Sequence, residues 1–162
     1  QMATSQDSPR RMTRRGFGLL AAGGLVGGTV FAANWFNVGA TTDGATLLSV
    51  QDAYRAAVAG DVVLVDIRRP DEWARTGVGE GAVPLDMRRD EFEVELANLV
   101  AGDTAAPVAL ICARGVRSNR LSQRLAGAGF TRIIDVPEGR LGSGAGPGWL
   151  KAGLPVVPWQ AG

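Results

Sequence analysis

Val108-Ala109-Leu110-Ile111-Cys112-Ala113-Arg114-Gly115-Val116-Arg117-Ser118 contains the only cysteine of the chain and its plainest strand-to-helix transition. Residues 108–111 are an unbroken apolar run, the pattern of a strand buried on both faces. From Ser118 to Ala128, Leu121 and Leu125 recur at helical spacing, and Gly127 and Gly129 stand near the end. That pattern predicts a helix. Cys112 therefore sits at the carboxyl end of a strand, before a tight loop. Such a loop aims several backbone N–H groups at one point. Gly115 permits a backbone turn that other residues resist, and Arg114 and Arg117 add positive charge. Together these features favour a thiolate and stabilise an anion on or beyond its sulfur. A buried cysteine is also an ordinary core residue. The glycine, the two arginines and the helix start favour the nucleophile.

Outward from this loop the pattern stays α/β. Ser49 and Asp52 open a predicted helix over 50–59, and 62–66 reads as another buried strand. Pro70-Asp71-Glu72-Trp73 opens a short helix, with proline in the first turn and acids beside it. Residues 77–84 read as a loop and a short strand. Asp90 to Val100 predicts a helix capped by Asp90, with Phe92, Leu96, Leu99 and Val100 on one face. Arg132-Ile133-Ile134-Asp135 is a third strand. Alternating strands and helices imply a mostly parallel sheet covered on both faces. Active sites in such sheets lie beyond the carboxyl ends of the strands.

Composition narrows the chemistry. The 162 residues include one cysteine and no histidine. No Ser-His-Asp or Cys-His triad can form. One cysteine cannot supply a zinc or copper site of the usual Cys/His kind, and no disulfide can close within the chain. No metal and no cofactor is expected. The net charge is +1, unevenly spread. Residues 1–15 carry Arg10, Arg11, Arg14 and Arg15 against Asp7, while the remainder is slightly acidic. No basic face with interleaved aromatics suggests nucleic acid. Glycine numbers 23, about double the usual ~7%. It clusters near residues 16–28 and 139–148.

The organisation reads as a basic tail (1–15), a hydrophobic segment (16–40), a linker (41–46), a folded domain (47–157) and a short tail (158–162). Residues 16–36 are uncharged, and about 20 residues cross a ~30 Å hydrocarbon core as helix. Before them stands Thr13-Arg14-Arg15-Gly16-Phe17-Gly18-Leu19, which resembles a twin-arginine export signal. Arg14 and Arg15 would stay in the cytoplasm and the domain would face the periplasm. The long apolar stretch and its terminal Trp35 and Phe36 favour an uncleaved inner-membrane anchor. A cleaved, soluble periplasmic protein is the alternative. Gly23 with Gly27, and Gly24 with Gly28, would let a partner helix approach closely, although glycine abundance alone also produces such pairs.

From Leu47 to Val157 the chain resembles a rhodanese-like domain. Val65-Asp66-Ile67-Arg68-Arg69-Pro70-Asp71-Glu72-Trp73 looks like that family's Asp-x-Arg and Glu-aromatic signature. Cys112 to Ser118 matches its Cys-x-x-Gly-x-Arg-Ser loop. Glu138-Gly139 and Trp149 to Val156 match its C-terminal pattern. The resemblance implies a parallel sheet flanked by helices and a sulfurtransferase. Cys112 would take sulfane sulfur from a thiosulfate-like or persulfide donor and pass it to a thiol. Ala113, Arg114, Gly115, Val116, Arg117 and Ser118 would hold the substrate and the persulfide. Arg114 and Arg117 would attract an anionic donor, or else pair with carboxylates or lie in solvent. Asp66 and Arg68 would support the site from a neighbouring strand end, through a structural hydrogen bond or ion pair rather than catalysis, and Trp149 would be core.

Two departures stand out. Val78 occupies the place of a usual histidine, and Gly142-Ser143-Gly144-Ala145-Gly146-Pro147 is added before Trp149. That stretch is a lid or docking loop, or a plain surface insertion. A cysteine phosphatase is disfavoured, because the loop from Cys112 to Arg117 is one residue short of that loop type. A non-catalytic, membrane-anchored accessory subunit that keeps the fold is the competing function.

Overall fold

The computed structural model describes Thr41–Thr42 and residues 45–161. The basic tail, Arg14 and Arg15, the 16–40 segment and its glycine pairs lie outside the described residues. Among the described residues, no helix is long and apolar enough to cross a membrane.

The chain runs β1 (Thr41–Thr42), β2 (Ala45–Leu47), α1 (Val50–Ala59), β3 (Val63–Asp66), α2 (Pro70–Thr76), β4 (Val78–Gly79) and β5 (Ala82–Pro84). It continues with α3 (Phe92–Leu99), β6 (Val108–Ile111), α4 (Val116–Gly127), β7 (Ile133–Asp135), α5 (Gly148–Lys151) and β8 (Val156–Val157). Six strands form one sheet in the order β1-β2-β7-β6-β3-β5. All neighbours pair in parallel except β1 with β2. A second ribbon pairs β4 with β8.

The continuous apolar runs explain this burial. In β6 all four side chains are buried, alternate ones on opposite faces. Val65, Val108 and Leu110 join Phe92 and Leu96 of α3 and Leu121 and Leu125 of α4. On the other face, Leu64, Ala109 and Ile111 pack with Val50 and Ala53 of α1 and with Trp149 of α5. Each fully buried leucine contributes about 1.5–3 kcal/mol.

From β3 the chain moves out to β5, then returns to place β6 on the other side of β3. The carboxyl ends of β3 and β6 therefore flank a reversal of strand order, the position at which open α/β sheets carry their sites. Asp66 ends one strand and Cys112 follows the other.

Several sequence-based boundaries shift. The 41–46 linker contains β1 and most of β2, because the open edge of β7 pairs with Thr46 and Leu47. Asp90 does not cap α3; that helix begins at Phe92, after Glu91, without a side-chain cap bond. Its buried stripe is Phe92, Leu96 and Val100, and Leu99 turns outward. Helix α4 starts at Val116, two residues before the predicted Ser118, because Gly115 takes a left-handed backbone there. Trp159, placed in the tail, packs edge-on to Trp73 at 5.3 Å. Val78, in the histidine position, is buried and pairs with Val157.

Candidate active site

The loop after β6 folds back on its own sulfur. The Gly115 N–H donates to Cys112 Sγ at 3.1 Å. Ser118 Oγ lies 3.6 Å from the same sulfur and donates to the Gly115 carbonyl at 3.0 Å. Gly115 has φ +82°, and a Cβ there would collide with the Pro137 carbonyl oxygen. Only glycine fits both conditions. Cys112 is 1% exposed and belongs to the core cluster of α3 and α4.

The segment after β7 supports the loop from behind. Arg140 N–H donates to the Cys112 carbonyl at 2.8 Å, and Leu141 N–H to the Ala113 carbonyl at 2.9 Å. Gly139 permits this approach, since a Cβ there would stand 2.6 Å from the Ala113 oxygen. Glu138 is a buried staple. One oxygen accepts from Val50 N–H at the start of α1, the other from Gly148 N–H. The added glycine-rich stretch is thereby tied down. Ser143 Oγ donates to the Pro137 carbonyl at 2.8 Å, and Ser143 pairs with Gly146. Arg114 reaches the Gly142 carbonyl at 3.4 Å, so the stretch lies beside the cysteine loop.

The two loop arginines differ. Arg117 makes a two-pronged pair with Glu72, at 2.8 and 2.7 Å. Its pKa is raised, by Glu72 first and also by the nearby Cys112 sulfur. Glu72 is held below the usual carboxylate range by Arg117, with help from the Arg69 N–H. Arg114 is exposed and, among the described residues, has no carboxylate within 4.0 Å.

Asp66 and Arg68 form a buried ion pair at 2.7 Å. Arg68 also donates to Thr76 Oγ1 and to the Gly77 and Glu72 carbonyls. These bonds tie β3 to α2 and none goes to the cysteine loop. Arg140, also buried, stands 4.0 Å from Asp66 and over the Trp149 ring at 5.3 Å. Burial pulls its pKa down to about 10. Asp135, at the end of β7, is buried and pushed up by that burial, opposed by Ser118 and Asn119.

Sequence reading places Cys112 through Ser118 together, and the structure assembles them as one loop and the first turn of α4. It gives no structural role to Glu138, Arg140 or Asp135, and reads Glu72 as part of the family signature and as a helix-start residue, without its partner. Glu72 and Arg117 are 45 positions apart. The local signal at Glu72, an acid three residues after Arg69 at a helix start, accounts for its capping bond alone. Among the described residues no cluster of His, Cys, Asp and Glu could hold a metal.

A sulfur that accepts a backbone N–H at the start of a helix is placed to act as a nucleophile and to carry an adduct there. The solution structure of the polysulfide-sulfur transferase homodimer from Wolinella succinogenes is similar. It is 27% identical, with a TM-score of 0.51, over 82% of this chain and 87% of that one. Thiosulfate sulfurtransferase from Pseudomonas aeruginosa shares the fold. It is 23% identical, with a TM-score of 0.56, over 83% of this chain, which spans 22% of that larger protein. No curated protein matches the chain. The rhodanese-like domain profile matches residues 49–141, more than half of the sequence and every residue of the cysteine loop. On that match, and on the sheet and loop that it spans, the chain belongs to the family of rhodanese-like domains.

Proposed function

We propose that the domain is a sulfurtransferase that moves sulfane sulfur from thiosulfate or a persulfide donor to a thiol, through a persulfide on Cys112. The observation that carries this reading is the Gly115 N–H at 3.1 Å from the sulfur, at the start of α4. The Cys112 thiolate attacks the outer sulfur of the donor. With thiosulfate, the sulfur–sulfur bond breaks and its electron pair leaves with sulfite. A Cys112 persulfide anion remains. An acceptor thiolate then attacks the outer sulfur, the bond between the two persulfide sulfurs breaks, and its electrons return to Cys112 as thiolate. No histidine base is invoked, because both attacking groups react as thiolates. Gly115 N–H and the first turn of α4 stabilise the anion on the outer sulfur. Arg114, with no carboxylate within 4.0 Å among the described residues, draws the anionic donor, while Arg117 is fixed by Glu72 and orders the loop. Asp66 and Arg68 hold the neighbouring strand end.

The N-terminal segment completes the reading. Arg14 and Arg15 address the chain for export, and residues 16–36 hold it in the inner membrane with the domain in the periplasm. The glycine pairs at 23, 24, 27 and 28 would receive a partner helix.

Intact mass after thiosulfate treatment tests the chemistry. A gain of one sulfur on the protein, absent in Cys112→Ser, is expected; no gain at any donor concentration would sink the reading. An alkaline phosphatase fused after residue 45 tests the topology: it should be active, and an inactive fusion would count against export.

A further inference from the structure

The chain has one cysteine, so a persulfide on Cys112 finds no thiol in the same chain to receive its sulfur. Cys112 is also buried, and an acceptor must press against the loop from outside. Two apolar side chains stand exposed there. Val116, at the start of α4, is 60% exposed, and Leu141, whose N–H holds the Ala113 carbonyl, is 44% exposed. The other large apolar residues of α4, Leu121 and Leu125, are fully buried.

Charge surrounds this pair. Helix α4 contains no acidic residue, and Arg117, Arg120 and Arg124 recur at i, i+3 and i+7, along one face. Arg117 is paired with Glu72 and Arg124 with Glu93. Arg114 and Arg120 are exposed and, among the described residues, neither has a carboxylate within 4.0 Å. Arg114 bonds the Gly142 carbonyl, next in the chain to Leu141, and Arg120 shares the face of α4 with Val116. Arg120 lies one helical turn, about 6 Å, beyond Val116.

We propose that this surface docks a polypeptide acceptor that presents its cysteine beside an apolar residue and within acidic surroundings. The proposal rests on the sulfurtransferase reading and names the acceptor class for it. An apolar centre with a charged rim is the anatomy of a protein interface. A small thiol would need only a path to the sulfur. It would gain nothing from Leu141 on one side of the loop and Arg120 a turn beyond the other. In the transfer step the acceptor thiolate attacks the outer sulfur of the Cys112 persulfide. The bond between the two persulfide sulfurs breaks, its electrons return to Cys112, and the acceptor leaves as a persulfide. No oxidant or reductant is consumed.

The test uses the full chain, loaded with thiosulfate and checked by intact mass. Two probe peptides carry a Leu-Cys pair, one flanked by glutamates and the other by lysines. Transfer to the acidic peptide should be about tenfold faster at low salt, with the advantage fading as salt screens it. Arg120→Glu should reverse the preference, leaving persulfide loading and transfer to cyanide unchanged. Leu141→Ser should slow both peptides and spare cyanide. Equal rates for the two peptides, an unchanged preference in Arg120→Glu, or faster transfer to 2-mercaptoethanol than to either peptide would overturn the proposal. If loading itself fails, the sulfurtransferase reading falls instead. Docking is then decided by fluorescence anisotropy with the acidic peptide carrying serine for cysteine: binding weakened by Arg120→Glu supports it, and no binding overturns it.

Discussion

A methyl group on Gly115 would collide with the Pro137 carbonyl and force a side chain onto a left-handed backbone at φ +82°. The backbone term alone costs about 1–2 kcal/mol. The loop would have to open, carrying its N–H away from the Cys112 sulfur. Gly115→Ala should therefore lower Tm and abolish persulfide formation, read by thermal melting and intact mass on one preparation. Glu72 belongs to the same scale. It is held below the usual carboxylate range by Arg117, so its pairing stabilises the fold above the ordinary Glu value and is lost as pH falls through the lowered one. Glu72→Gln should cost about 1 kcal/mol near neutrality, the upper end for an exposed pair, since this one is partly buried. That difference should shrink to nothing in strong acid; urea titrations across the acid range would check it. Cys112, Arg114, Gly115 and Arg117 were legible because they are contiguous and need only local geometry. That Arg117 would meet a carboxylate was one of the readings the sequence left open. Which carboxylate depends on β3 lying beside β6, a fact of long-range pairing.

Elements were legible in proportion to their local punctuation. Helix α1 runs over the predicted 50–59, since Ser49 caps it by accepting from Asp52 N–H and Gly60 ends it with a left-handed backbone. Strands β1 and β8 have two residues each. Two residues carry no period, so such strands exist only because a partner edge awaits them. The early start of α4 has the same kind of cause: Gly115 is fixed by Pro137 and by the sulfur, and the helix begins directly after it. Helix α4 thus joins the core to the loop, with Leu125 fully buried at one end and Gly115 at the other. Leu125→Ala should destabilise by about 2–5 kcal/mol through lost burial and the cavity left behind. Urea denaturation followed by far-UV circular dichroism measures it. A loss below 1 kcal/mol would mean that α4 is not anchored by this face.

At the scale of the whole molecule, buried charge makes stability depend on pH in two opposing ways. Glu72 and Asp86 are both held low, each first by a side-chain bond to an arginine, Arg117 and Arg88. They stabilise the fold above their ordinary values and lose that contribution on acidification. Asp135 does the reverse. It is 2% exposed at the carboxyl end of β7, one of its oxygens has no hydrogen-bond partner among the described residues, and burial raises its pKa. A raised carboxyl favours the folded state when protonated. That contribution is complete below the ordinary Asp value, about 3.9, and is lost as pH rises through the raised one. Asn is the neutral near-isostere. Asp135→Asn should therefore raise Tm at pH 7 and leave it unchanged near pH 3, with the gain developing between those limits. The stabilised protein should still load sulfur on Cys112, because Asp135 ends β7 and takes no part in either displacement. A lower Tm at pH 7 would show instead that the ionised carboxylate makes a bond the fold needs. A gain equal at both pH values would show that its charge is not the cause.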